Sequence, residues 1–278
     1  MKKNCLLCFL LFFSCHSALA GESLDSLLNV LDKTIKEADT YVQIKENKLH
    51  ELKKEARKTP PFSVERYNLN NDIYLEYKAY SSDSALHYLN ENMLLARQLN
   101  DKERELKIQL ELSYLLSSIG MYMEAADILN SIDRQTLPSS LLGHYYTCYE
   151  HVYFEAGAAQ PRYKMFASRY VKLSHAYRDS MQITLDPSSA TYLWLRETQL
   201  REAGKYDEAL EFSDRRLAES SFGTPQYALV AYQRFRLFES MGKKDEHLYY
   251  LVLSAISDVR SAIKEQYSFC LLYTSDAA

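Results

Sequence analysis

The residue types able to do chemistry in this 278-residue chain are few and scattered. His144 and His151 lie seven apart, near one helical face, with Glu150 beside the second. Two imidazoles and a carboxylate could begin a metal site, but zinc wants a third and fourth protein ligand at matching spacing. The competing reading places them as polar residues on a hairpin surface. Asp207 and Glu208 are adjacent carboxylates that follow a glycine. They suit the positive end of a helix better than acid–base work. Cys148 sits among Tyr145, Tyr146 and Tyr149 with no cation near enough in sequence to favour a thiolate, so it reads as a buried small hydrophobe. His-Glu-x-x-His, Gly-x-Ser-x-Gly, a phosphate-binding glycine loop and paired Cys-x-x-Cys do not occur. The sequence therefore assigns no catalytic residue, metal or cofactor and reads as a non-enzyme. Its most suggestive chemistry is aromatic: 23 tyrosines, with Tyr145, Tyr149 and Tyr153 recurring by four on one helical stripe. Such a stripe serves core packing or lines a binding surface.

The elements that must position these residues are helical. Glycine is scarce at 7, and Leu, Ala, Glu and Lys are plentiful, which favours helices over a turn-rich β-sandwich. With 33 basic against 37 acidic residues, a nucleic-acid-coating surface is not indicated. Both ends read as something other than fold. Lys2 and Lys3, the apolar run Cys5 to Phe13, and Ala18-Leu19-Ala20 before Gly21 form a secretory signal peptide over residues 1–20. Residues 270–278, Cys-Leu-Leu-Tyr-Thr-Ser-Asp-Ala-Ala, resemble a translated sequencing adapter, which implies a truncation near Phe269. Without both ends one cysteine of five remains, Cys148, so no internal disulfide is expected.

Residues 21–59 read as a long amphipathic helix. Leu24, Leu28, Leu31, Ile35, Ala38, Val42, Leu49 and Leu52 alternate by four and three, with Lys45 at the missing step. The stripe suits either a solvated helix lying against the next element or a dimerising coiled coil. Thr59-Pro60-Pro61 ends it. Over residues 60–269 a turn signature then recurs: Tyr80, Gly120, Gly157, Gly204 and Gly242 mark five helical hairpins at intervals of roughly 40 residues. Two copies carry an aromatic two residues on and an alanine three further, Gly120/Tyr122/Ala125 and Gly204/Tyr206/Ala209. The glycine permits the turn, and the alanine lets the helices approach. Asp186-Pro187 and Thr224-Pro225 each pair an N-cap residue with proline at the first helical position, and Pro161 opens a further helix.

The Gly-x-Tyr-x-x-Ala pattern resembles the tetratricopeptide (TPR) repeat over about residues 65–262. Departures are the long steps and the missing early aromatic. The fold expected is all-α, a TPR-like right-handed helical-hairpin solenoid preceded by the long N-terminal helix. Residues 67–72, Tyr-Asn-Leu-Asn-Asn-Asp, and 76–86, Glu-Tyr-Lys-Ala-Tyr-Ser-Ser-Asp-Ser-Ala-Leu, are similar to exported TPR regulators of Bacteroidetes. That resemblance implies a periplasmic sensor array followed, in the intact protein, by one membrane span, a cytoplasmic coiled coil and a DNA-binding end.

In a TPR array the first helix of each hairpin lines the concave face. That places Tyr74, Tyr77, Tyr114, His151, Phe154, Trp194, Arg201, Tyr232 and Arg236 along a candidate groove. Such a groove suits a protein, peptide or other extended ligand. This part of the chain is expected to bind no nucleic acid, and a monomer is expected. A free exported scaffold for envelope proteins is the alternative.

Overall fold

The computed structural model describes residues 23–159 and 162–263. The expected signal peptide, the adapter-like tail and the helix start expected at Pro161 lie outside the described residues. Among those described there are twelve α-helices and no strand. In chain order they are α1 (Leu24–Lys36), α2 (Ala38–Lys58), α3 (Val64–Tyr77), α4 (Ser82–Gln98), α5 (Lys102–Ser118), α6 (Tyr122–Ser131), α7 (Ser139–Ala158), α8 (Lys164–Thr184), α9 (Ala190–Glu202), α10 (Tyr206–Ala218), α11 (Pro225–Ser240) and α12 (Lys244–Arg260). No described helix is long and apolar enough to cross a membrane. The all-α, TPR-like helical-hairpin architecture read from the sequence is the one the chain adopts.

Two compact units divide the chain. One gathers residues up to Tyr41 with Ser220–Ser261, and so holds α1, α11 and α12. Thr224 caps α11 by accepting from the Tyr227 N–H, with Pro225 in the first turn as predicted. Gly242 turns the chain at φ +72° into α12, and Ser254 Oγ donates to the Ala228 carbonyl at 2.8 Å where α12 meets α11. α1 also packs on α12.

The single N-terminal helix expected over 21–59 is two helices. Glu37 separates them, its N–H shared among carbonyls of the last turn of α1. The cause is that the two halves serve different cores. α1 buries Leu27, Leu31 and Thr34: Leu31 of the predicted stripe is kept, while Leu27 and Thr34 take the places of Leu28 and Ile35, and Leu28 is exposed. α2 buries Leu49 and Ala56, and Lys45, the gap in the stripe, pairs with Glu76 at 2.9 Å. Lys48 pairs with the same carboxylate, and Lys53 donates to the Tyr77 hydroxyl at 2.6 Å. α2 therefore lies against α3, the non-coiled-coil option.

The other unit runs from Val42 to Glu219. It stacks the hairpins α3/α4, α5/α6, α7/α8 and α9/α10, with α4 on α5 and α5 on α7. One core gathers Leu49, Ile73, Tyr74, Leu89 and Ile108. A second gathers Leu110, Leu129, Cys148, Met181 and Leu195. The repeat signature does what its chemistry predicts. Gly120 and Gly204 hold φ of +88° and +73°, a region costly for side-chain-bearing residues. Ala125 and Ala209 are fully buried, and Ser113 on α5 reaches the Ala125 carbonyl at 2.9 Å. Tyr122 and Tyr206 are half-buried beside them.

Two details differ from expectation. Gly157 lies inside α7 rather than in a turn. A Cβ there would stand 3.3 Å from Tyr170 Cβ, so its role is close approach of α7 to α8. Asp186 does not open α9: its carboxylate accepts from the Ser188 N–H at 2.8 Å, and Ser189 three residues later is the N-cap.

Candidate ligand-binding face

The first helices of the hairpins, α3, α5, α7 and α9, carry the sequence-predicted residues of this unit, and side-chain contacts join most of them in two groups, Tyr74 with Tyr114 and His151, and Phe154 with Trp194. Tyr74 and Tyr77 are the correction. Both are buried, Tyr74 completely, so they lie beneath the face and not on it. A bulky ring on α3 gains more from the core than from solvent. Tyr74 is still wired to the surface: its hydroxyl donates to Glu111 Oε2 at 2.6 Å. Lys78 donates to the same oxygen at 3.1 Å, and His144 Nε2 stands 3.6 Å from the other. Burial alone would raise the Glu111 carboxyl. The Lys78 charge, the His144 charge and the Tyr74 hydroxyl hold it below the usual range.

Lys78 Nζ also stands 4.6 Å from the centre of the Tyr114 ring. From α7, His151 stacks on Tyr114 with ring centres 4.0 Å apart and planes 10° from parallel. Burial, with a smaller push from Lys78, brings the His151 pKa down to about 4. Ser118 Oγ lies 2.9 Å from His151 Nε2, and Glu155 Oε1 lies 4.0 Å from Nδ1. This Ser-His-Glu order is not a catalytic triad. Ser118 gives its proton to the Tyr114 carbonyl at 3.0 Å. The carboxylate is beyond hydrogen-bond reach, and an imidazole that resists protonation near neutral pH is a poor base. His144 and His151 are half-buried, not the surface residues expected. No group of three or more His, Cys, Asp or Glu side chains set to hold a metal occurs among the described residues.

Farther along the face, Phe154 is 46% exposed and Trp194 half-buried. The Arg178 guanidinium lies between them, 5.9 Å from the phenyl centre and 6.0 Å from the indole. Arg178 is itself buried, its Nε donating to Glu150 at 2.8 Å and its Nη1 to both oxygens of Glu202 at 2.9 and 3.0 Å. Burial pushes the Glu150 carboxyl up, and Arg178 offsets only part of that. Beside this clamp opens a cavity of about 150 Å³ lined by His175, Arg178, Asp179, Gln199 and Glu202. Arg201 is half-buried at the end of α9. Tyr232 and Arg236 belong to the other unit. There Tyr232 packs on Phe235 at 5.5 Å, and Arg236 pairs with Glu239 at 3.1 Å on the surface of α11.

The tyrosine stripe of α7 is packing. Tyr145 and Tyr149 are buried, and Tyr149, Tyr153 and Tyr177 stack almost parallel at the α7–α8 contact. Cys148 is fully buried, its thiol 3.4 Å from the Leu110 carbonyl and pushed well up in pKa by burial.

Sequence reasoning missed Lys78, Glu111, Arg178 and Glu202. Arg178 is instructive: it lies on α8, a second helix, so a rule that reads only first helices passes over it. The available signal was a cation at a core position, between Ser174 and Met181 on one helical face.

A stack of helical hairpins bearing an aromatic and hydrogen-bonding face is a protein-interaction or sensing module of TPR type. The particular family is shown by comparison: a family model described as the SusR N-terminal TPR domain matches residues 35–274, and the chain belongs to that family. No curated protein and no solved structure matches the chain.

Proposed function

We propose that this chain is the periplasmic sensing domain of a membrane-spanning transcriptional regulator. In this reading it binds a protein, peptide or other extended ligand along the face built from α3, α5, α7 and α9. The observation that carries the proposal is the match, over nearly the whole array, to a domain defined as N-terminal and TPR-like. The basic start, apolar run and Ala18-Leu19-Ala20 site support export. The half-exposed Phe154 and Trp194 beside a polar cavity support recognition in place of catalysis. DNA-binding output belongs to a part of the protein outside this sequence.

Sequencing the native locus through the codon for residue 269 tests the regulator half. A frame that continues into about 20 apolar residues and then a helix-turn-helix is expected. A prompt stop codon would overturn it in favour of a free exported scaffold. On the recognition side, Trp194→Ala is expected to abolish ligand-dependent transcription from the regulator's promoter while circular dichroism stays unchanged. Loss of helicity instead would mark Trp194 as core.

A further inference from the structure

α8 carries on its solvent side a charge arrangement that the rest of the fold does not use. Between Glu155 and Asp179 the chain has no acidic residue. Within that stretch Arg162, Lys164, Arg169 and Lys172 are all exposed, and none has an acidic partner within ion-pair distance among the described residues. Several exposed lysines elsewhere find carboxylates a turn away, as Lys54 does with Glu51, Lys102 with Glu105 and Lys205 with Glu208, whereas all four of these cations go without one.

The placement also runs against the helix's own field. A helix N-terminus is positive, and acidic residues or a capping oxygen normally answer it. α8 has no acidic residue in its first turn and no side-chain cap. Helix electrostatics therefore does not account for Lys164 at that end. At 3.6 residues per turn, Lys164, Met165, Arg169 and Lys172 fall within one arc of about 140°. The opposite side sends Ser174, Arg178 and Met181 inward. Among the cations, Tyr163 is 63% and Met165 75% exposed.

We propose that this face of α8, with Arg162 and Tyr163 just before the helix, docks on an anionic lipid bilayer. Arg162, Lys164, Arg169 and Lys172 lie over the headgroups, and Tyr163 and Met165 enter the interface between headgroup and acyl chain. Charge complementarity favours this occupant, because the net charge of the chain is −4 and attraction to an anionic surface must be local. The apolar side chains decide between a bilayer and an acidic protein. They are largely exposed, and a bilayer interface accepts protruding groups that a folded partner would need matching pockets to receive. The inference does not depend on what the candidate groove binds.

The test is sedimentation of the full chain with vesicles of phosphatidylcholine alone or with 30 mol% phosphatidylglycerol, a composition chosen as roughly one anionic lipid in three. The expected result is binding only to the anionic vesicles, weakened sharply by added salt. Each cation is expected to contribute about fivefold to the partition coefficient, so K164E/R169E/K172E loses about 100-fold or more. Met165→Ala loses severalfold with an unchanged salt slope. Since every variant keeps residues 1–20, the apolar leader cannot account for differences among them. Three results would overturn the proposal: equal binding to both vesicle types, wild-type binding by the charge-reversed variant, or full binding by the Met165→Ala/Tyr163→Ala variant. Soluble polyglutamate that competes as well as the vesicles would assign the face to an acidic polymer.

Discussion

Arg178 joins three helices through two carboxylates and two aromatic faces, although its side chain is only 4% exposed. Removing it leaves Glu150 buried without a cation. Loss of one partner of a buried pair costs about 3–5 kcal/mol, because the remaining charge must be desolvated alone. Arg178→Met is therefore expected to lower unfolding free energy in urea by about that amount, and adding Glu150→Gln to restore part of it. An additive double variant would show that the two side chains act independently. His151 makes a pH prediction. Its folded pKa of about 4 lies below the unfolded value of 6.5, so the unfolded chain binds more protons between them. The contribution of His151 is fully present above pH 6.5 and falls as pH drops toward 4, by on the order of 3 kcal/mol. Glu150 and Glu155 are pushed up by burial and act in the opposite sense. The difference between wild type and His151→Gln across this window isolates the histidine. Parallel pH–stability curves would mean that the imidazole is solvated in the folded state.

At the scale of elements, the N-terminal helix shows where pattern reading stops. Leu24, Leu28, Leu31 and Ile35 make a clean heptad stripe, yet Leu27 is 1% exposed and Leu28 37% exposed. The hydrophobic pattern allows either register, because Leu27 and Leu28 are adjacent and equally apolar. Contact with α12 selects Leu27. Leu27→Ala is expected to cost about 2–5 kcal/mol and Leu28→Ala less than about 0.5 kcal/mol, measured by thermal or urea unfolding. Equal losses would restore the predicted stripe. Hairpin turns were far more legible. Gly120, Gly204 and Gly242 carry the positive φ that their position demands, and Ala125 and Ala209 are small because neighbouring helices leave no room. Gly157 was misread because a glycine in a turn and a glycine at a helix crossing look alike in sequence. The candidate face was legible only in part. The first-helix rule names Tyr114, His151, Phe154 and Trp194, which lie on α5, α7 and α9 and keep some solvent exposure. Tyr74 was placed a layer too high, because a tyrosine can bury its ring and still satisfy its hydroxyl on Glu111.

For the whole molecule, we predict a monomer. Part of the stripe that could have made a coiled coil is buried within the chain, at Leu31 and Leu49: α1 lies on α12, and α2 is tied to α3 by Lys45, Lys48 and Lys53. Sedimentation equilibrium is expected to give one chain per particle across a wide concentration range. A dimer that persists on dilution would mean that the exposed Val42 and Ile44 seed an interface.

The all-α class, the positions of four of the five hairpin turns and the buried state of Cys148 were legible in the residues alone. These follow from local rules: helix propensity, glycine at positive φ, and alanine where backbones meet. The split of the N-terminal helix at Glu37, the register of its buried face and the arginine clamp of α7, α8 and α9 were decided by tertiary structure. Each depends on which residue finds a partner far along the chain, and that choice is made by packing and desolvation between distant segments, which no local pattern records.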